Sequence, residues 1–123
     1  MIQIYNVCKN YSKDSAALDQ ITLKIPKGDF VFITGPSGAG KSTLLKLLYA
    51  GERPNRGQIL IDGRNVTRMS GRQVPFLRRK MGVVFQDFKL IAGRTIYENV
   101  AFALEVQGRK PVSYTHLRAH ETV

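Results

Sequence analysis

Nine consecutive residues, Gly35 to Thr43, read GPSGAGKST and satisfy the pattern G-x-x-x-x-G-K-[ST]. Their types suit one ligand chemistry, a chain of phosphates. Gly35, Gly38 and Gly40 admit backbone angles closed to other residues, so successive N–H groups can turn inward around phosphate oxygens. Lys41 adds a mobile ammonium for the β- and γ-phosphates, and the Ser42 hydroxyl is placed to ligate a Mg²⁺ that bridges them. The helix expected from KSTLLKLLYA aims its partially positive N-terminus at the same anion.

Such a loop works only between a strand and a helix, and the flanking sequence supplies both. Immediately upstream, DFVFIT is an apolar run, which predicts a strand over Phe30 to Thr34. Before it, MIQIYNVCKNY alternates apolar and polar residues and predicts a first strand. A polar turn, SKDSA, leads to a second alternating run, DQITLKIPKGD, which ends at a hairpin signal, Pro26-Lys27-Gly28. Antiparallel strands are therefore expected ahead of the parallel strand that carries the loop. Tyr11 falls at the end of the first strand, where an exposed aromatic ring can stack on a purine face. A Tyr half-buried in the sheet is the alternative for Tyr11, and the sheet is the assignment for Tyr5.

Beyond the helix, GERPNRGQILIDGRNV predicts a turn, a strand over Gln58 to Ile61 and an Asp62-Gly63 turn. The run ILID resembles an apolar strand ending in a Mg²⁺-binding Asp. Gly63 stands where a catalytic Glu would follow, so a hairpin turn is expected instead. MSGRQ (Met69 to Gln73) resembles a degenerate LSGGQ, but Arg72 would crowd a phosphate there, and Ser70-Gly71 is assigned to a turn before a helix. RQVPFLRRK gathers Arg72, Arg78, Arg79 and Lys80 on what reads as a solvated helix face. MGVVFQDFKL predicts a strand over Gly82 to Phe85 with Gln86 at its end, where a neutral amide can ligate Mg²⁺ or orient a water. RTIYENVAFALEVQG predicts a helix, with Ile96, Val100, Ala103 and Leu104 at helical spacing, Thr95 as N-cap, Glu98 three residues on, and Gly108 as C-cap.

The length, 123 residues, allows one domain. The charge balance, 19 Lys plus Arg against 9 Asp plus Glu, gives +10, which suits phosphate ligands, anionic lipid or nucleic acid without choosing among them. A single cysteine, Cys8, excludes an intramolecular disulfide and fits a reducing compartment. No run of about 18 apolar residues is present, so any membrane contact is expected to pass through a partner.

Tyr11, the GPSGAGKST loop, the ERPNRGQILIDG hairpin and the VVFQD stretch, in this order, resemble the first half of an ABC-type nucleotide-binding domain. VPFLRRKMGVVFQDFKL followed by RTIYENVAFALEV is similar to its FtsE branch, cell-division ATPases that work beneath the membrane protein FtsX. The likeness covers Met1 to about Lys110. It implies an α/β P-loop fold with a RecA-like core and an antiparallel β subdomain, truncated before the helical subdomain, with ATP and Mg²⁺ as cofactors. It implies that Tyr11 stacks on adenine and that Gly35, Pro36, Ser37, Gly38, Ala39, Gly40, Lys41, Ser42 and Thr43 wrap the phosphates, Thr43 reaching the α-phosphate. It implies catalytic roles for Lys41 and Gln86, with the general base absent from these residues, and implies that Ser42 and Gln86 hold or sense the metal. It further implies a homodimer closing over two ATP molecules, an FtsX-like membrane subunit, a place on the cytoplasmic face of the membrane, and no specific nucleic acid. The nucleotide-binding subunit of another ABC transporter, a different P-loop NTPase and a basic nucleic-acid-binding module are the competing readings.

The signature LSGGQ, a strand ending in Asp-Glu and a switch His do not occur before Val123. These 123 residues are therefore expected to bind nucleotide weakly and not to hydrolyse it. The tail VSYTHLRAHET departs from the resemblance altogether. His116 and His120 would share a helix face, but two ligands without a carboxylate or thiol make a poor metal site. One choice of codons for the tail matches the end of a transposase adapter used in sequencing libraries. Residues 1–111 are thus assigned to the ATP-binding domain and 112–123 to a non-native tail, an expectation that the coding DNA decides.

Overall fold

A computed structural model describes residues 1–87 and 89–108. The chain divides into two compact units, Met1–Val74 and Pro75–Val123, the second described as far as Gly108.

In the first unit, the alternating residues near the N-terminus form two long strands, β1 (Ile2–Ser12) and β2 (Ser15–Ile25). They pair antiparallel from Ile2 opposite Ile25 to Ser12 opposite Ser15, so the SKDSA turn tightens to Lys13 and Asp14. Left-handed residues at Asn6 (φ 47°) and Gln20 (φ 46°) accompany register shifts that bend the ribbon. On the other edge of β1 lies β3 (Arg56–Ile61), followed by the short β4 (Arg64–Asn65), giving the order β2-β1-β3-β4 with every pairing antiparallel. Asp62 (φ 48°) and Gly63 (φ 79°) turn β3 into β4 with the paired positive φ angles of a two-residue hairpin. The Asp62 carboxylate accepts a hydrogen bond from the Met1 ammonium at 2.8 Å. The expected hairpin turn is therefore present.

Ile4, Val7, Leu18 and Ile59 from the sheet and Leu44 and Leu47 from the helix α1 (Lys41–Leu48) are buried. Ile4 and Ile59 are direct cross-strand partners and both are fully buried, each removing roughly 1.5–3 kcal/mol worth of apolar surface from water. The turn after α1 is tied to the end of β1. Lys9 Nζ donates to the Arg53 carbonyl at 2.8 Å, Asn55 N–H to the Cys8 carbonyl at 2.8 Å, and Asn10 N–H to Asn55 Oδ1 at 2.7 Å. Arg53 itself donates to the carbonyls of Thr67, at 3.1 Å, and Met69. Ser70 and Gln73 close a turn at the start of α2 (Val74–Arg78), as expected for MSGRQ.

The second unit contains α3 (Ile96–Val106). Its N-terminus carries the predicted capping box: Thr95 accepts from Glu98 N–H at 3.0 Å, and Glu98 accepts from Thr95 N–H at 3.0 Å. Asn99 closes the preceding loop by accepting from Ile91 N–H at 2.7 Å. Gly108 (φ 80°) ends the helix one residue beyond the Gln107 cap.

Two predicted strands are not formed. Residues 30–34 and 82–85 join no ladder, and Phe30, Phe32 and Val84 are 84%, 80% and 90% exposed. Their near-continuous apolar sequences are those of strands covered on both faces within a parallel sheet. Such strands need partners on their edges, and among the described residues none pairs with either. Pro26 to Asp29 does form the expected turn, but the chain that leaves it does not return along β2.

Candidate functional site

The N-terminus of α1 has the make-up expected of a phosphate cradle. Its N-cap is Gly40, at φ 95°, which offers no side chain to the first-turn N–H groups, and that turn has no acidic residue. Those donors have no partner within the helix, and the helix dipole adds to the positive potential they create. Gly40 is required twice over. Its φ is left-handed, and a Cβ there would lie 2.3 Å from the Ala17 carbonyl oxygen of β2 and 3.0 Å from Leu18 Cδ2. The hairpin thus presses directly on the loop. Gly38 (φ 81°) supplies the other left-handed turn, and the loop closes through Ala39 N–H to the Pro36 carbonyl at 3.1 Å.

Lys41 folds back over this loop. Its ammonium donates to the carbonyls of Gly35 and, at 2.8 Å, of Pro36. Pro36, Ser37, Gly38, Ala39 and Ser42 are exposed, whereas Thr43 is only 9% exposed. The Ser42 hydroxyl, in the first turn of α1 and open to solvent, is of the right chemistry and place for a hard divalent cation bridging bound phosphates. Glycines shaping the loop, uncapped N–H groups, an ammonium and that hydroxyl together fit a magnesium–nucleotide complex.

Tyr11 also reaches this helix. At 57% exposure its ring is available to a ligand, while its hydroxyl lies 3.3 Å from Thr43 Oγ1 and donates to Glu52 Oε2. Lys9 Nζ covers the ring at 5.4 Å from its centroid. Tyr5, assigned to the sheet, lies on β1 opposite Gln58. Sequence reasoning missed Glu52 and Lys9. The ERPN turn read only as a connection, and nothing in its spacing showed that a strand end far back in the chain would meet it.

Gln86 belongs to the second unit. It was expected at the end of a strand and instead lies exposed in a turn with Asp87, whose carboxylate pairs with Lys89 at 2.9 Å. With 82–85 outside any ladder, no strand end exists to carry it. The residues around it in FQDFKL include Phe88, and the tail with His116 and His120 spans 112–123. Both lie outside the described residues.

Comparison with known proteins agrees with this geometry. The sequence profile of the family described as ABC transporter matches residues 18–122. The cell division ATP-binding protein FtsE of Bacillus subtilis is 50% identical over 111 residues, covering 90% of this chain and 49% of the relative. FtsE of Mycobacterium tuberculosis is 50% identical over 111 residues (89% and 48%), and that of Escherichia coli K12 is 47% identical over 108 residues (88% and 49%). The chain spans about half the length of the curated relatives it matches. The dimeric structure of the ATP-binding cassette MJ0796 in a post-hydrolysis state bound to ADP and Pi superposes with a TM-score of 0.83 at 36% identity, covering 96% of this chain and 53% of that one. A loop shaped for phosphate, a profile match along most of the length and half of the aligned residues shared with FtsE lead to one assignment: this chain belongs to the ABC transporter family, on its ATP-binding side.

Proposed function

We propose that the chain binds ATP with Mg²⁺ through Tyr11 and Gly35 to Thr43. The observation that carries this is the cradle itself, a helix N-terminus capped by a left-handed glycine with the Lys41 ammonium folded over the loop. The loop and first-turn N–H groups receive the phosphate oxygens, including those of Gly38 and Gly40 and, once it leaves the Pro36 carbonyl, that of Ala39, with Pro36 and Ser37 shaping the turn. Lys41 exchanges its two carbonyl partners for β- and γ-phosphate oxygens, and Thr43 offers its first-turn N–H to the α-phosphate. Ser42 and Gln86 would hold or sense Mg²⁺, which would supply neutralising positive charge to the bound phosphates. Tyr11 stacks on adenine.

In the whole protein, hydrolysis follows from the family, with Lys41 and Gln86 in the catalytic roles that the family resemblance implies. The likeness to FtsE supports a cell-division role, two ATP-binding domains closing as a homodimer, and a membrane subunit resembling FtsX that holds them at the cytoplasmic face. No helix among the described residues is long and apolar enough to cross a membrane. Residues 1–111 make up this part of the ATP-binding domain and 112–123 a non-native tail, which the coding DNA tests. The 123-residue polypeptide itself binds nucleotide without turnover.

Calorimetric titration with Mg-ATP tests the reading. Saturable binding weakened at least about tenfold by Lys41→Ala, as loss of a charge-assisted contact worth over about 1.4 kcal/mol requires, supports it. Equal binding by the variant, or none by the parent chain, sinks it. Turnover abolished by Lys41→Ala would refute the inactivity of the polypeptide.

A further inference from the structure

Glu52 stands outside every role assigned above, yet its carboxylate is the acceptor for the Tyr11 phenol. The protons of this cluster can be traced. A phenol has one hydrogen, and an ionised carboxylate only accepts, so that hydrogen goes to Glu52. The Tyr11 oxygen must then accept from Thr43, 3.3 Å away, giving a chain from the Thr43 hydroxyl through Tyr11 to Glu52. The remaining partner of Glu52 is Lys46 Nζ at 4.0 Å, a half-exposed pair that holds little on its own. The side chain of Glu52 is nevertheless only 27% exposed. The ring between these anchors is covered by Lys9, itself fixed through the Arg53 carbonyl. Two residues of one turn, Glu52 by its side chain and Arg53 by its main chain, therefore set both the tilt of the Tyr11 ring and the cation beside it.

We propose that Glu52 is a positioning residue for recognition of the nucleotide base: it holds the Tyr11 ring beside the first turn of α1 as a preformed stacking platform. A ring already held in place loses less freedom when a purine stacks on it, so base affinity rises without any direct contact from Glu52. The proposal rests on the reading of Tyr11 as the adenine platform.

The test compares two probes on the 123-residue chain, Mg-ATP and Mg-tripolyphosphate, which share phosphates but not a base. Removing a carboxylate near the cradle changes the electrostatic attraction for both, so the ratio of the two affinities isolates the base. Tyr11→Ala lowers the ATP-to-tripolyphosphate ratio about tenfold, the order of one stacked base. Glu52→Ala lowers it about three- to fivefold, Glu52→Gln, which keeps an acceptor, leaves it near the parent value, and Tyr11→Phe combined with Glu52→Ala is no worse than Glu52→Ala alone. Far-ultraviolet circular dichroism establishes that each variant folds, and Tyr11→Phe, which keeps the ring but removes its bond to Glu52, carries the comparison if Glu52→Ala does not fold: the same loss of about three- to fivefold is expected, and an unchanged ratio overturns the inference. An unchanged ratio in Glu52→Ala beside an effective Tyr11→Ala overturns the inference alone. A ratio untouched by Tyr11→Ala removes the platform reading and the inference together.

Discussion

At the scale of single residues, the cradle depends most on Gly40. Alanine there meets a left-handed φ and a backbone oxygen at 2.3 Å that cannot move without dragging β2. Gly40→Ala is expected to destabilise the first unit by more than about 1 kcal/mol and to lose ATP binding, because relief comes only by separating the hairpin from the loop. Denaturant titration alongside calorimetry checks both, and a variant with parental stability and affinity would show the contact to be soft. Gly38, with open space around it, tolerates alanine better in contact terms and suffers only from its φ of 81°. The P-loop residues were legible because their requirement is local: a motif of nine positions shapes its own backbone. Glu52 was not legible, since its meaning comes from a tyrosine brought to it by strand pairing across the chain.

Among the elements, the β1–β2 ribbon and α1 support the site jointly. Truncating Ile59, fully buried opposite Ile4, is predicted to cost about 2–5 kcal/mol in chemical denaturation and to loosen the loop only through the sheet. Loss of ATP affinity with unchanged stability would contradict that. The cap of α3 predicts a smaller effect in a different unit: Thr95→Ala removes the acceptor for Glu98 N–H and lowers stability by about 1 kcal/mol, leaving Mg-ATP affinity as it was. The capping box, the Asp62-Gly63 turn and both alternating strands could be read from sequence because turn chemistry and period are properties of short segments. The strands over 30–34 and 82–85 show the opposite case. Their residues have strand composition, but a ladder needs a second strand, and propensity carries no information about where that strand is.

At the scale of the whole molecule, the exposed run Phe30 to Ile33, with Phe30 and Phe32 in edge-to-face contact at 5.1 Å, is an apolar segment with no ladder partner among the described residues. Such segments pair with one another between molecules. Sedimentation is expected to show concentration-dependent association that Phe32→Lys reduces, whereas a monomer at all concentrations would mean that this segment is protected. The net charge of +10 acts over the same molecule as a whole, gathering anions of every kind near its surface. If Lys41 serves the phosphates as proposed, choosing among those anions would fall to the two carbonyls that hold its ammonium. A ligand must outcompete an internal chelate, so a lone chloride or orthophosphate gains little by entering, while a polyphosphate that engages the loop N–H groups and the ammonium together can displace both carbonyls at once. The Gly35 and Pro36 carbonyls would thus act as competitors held at a fixed local concentration, a threshold expected to disfavour the small anions that a strongly basic protein gathers around it.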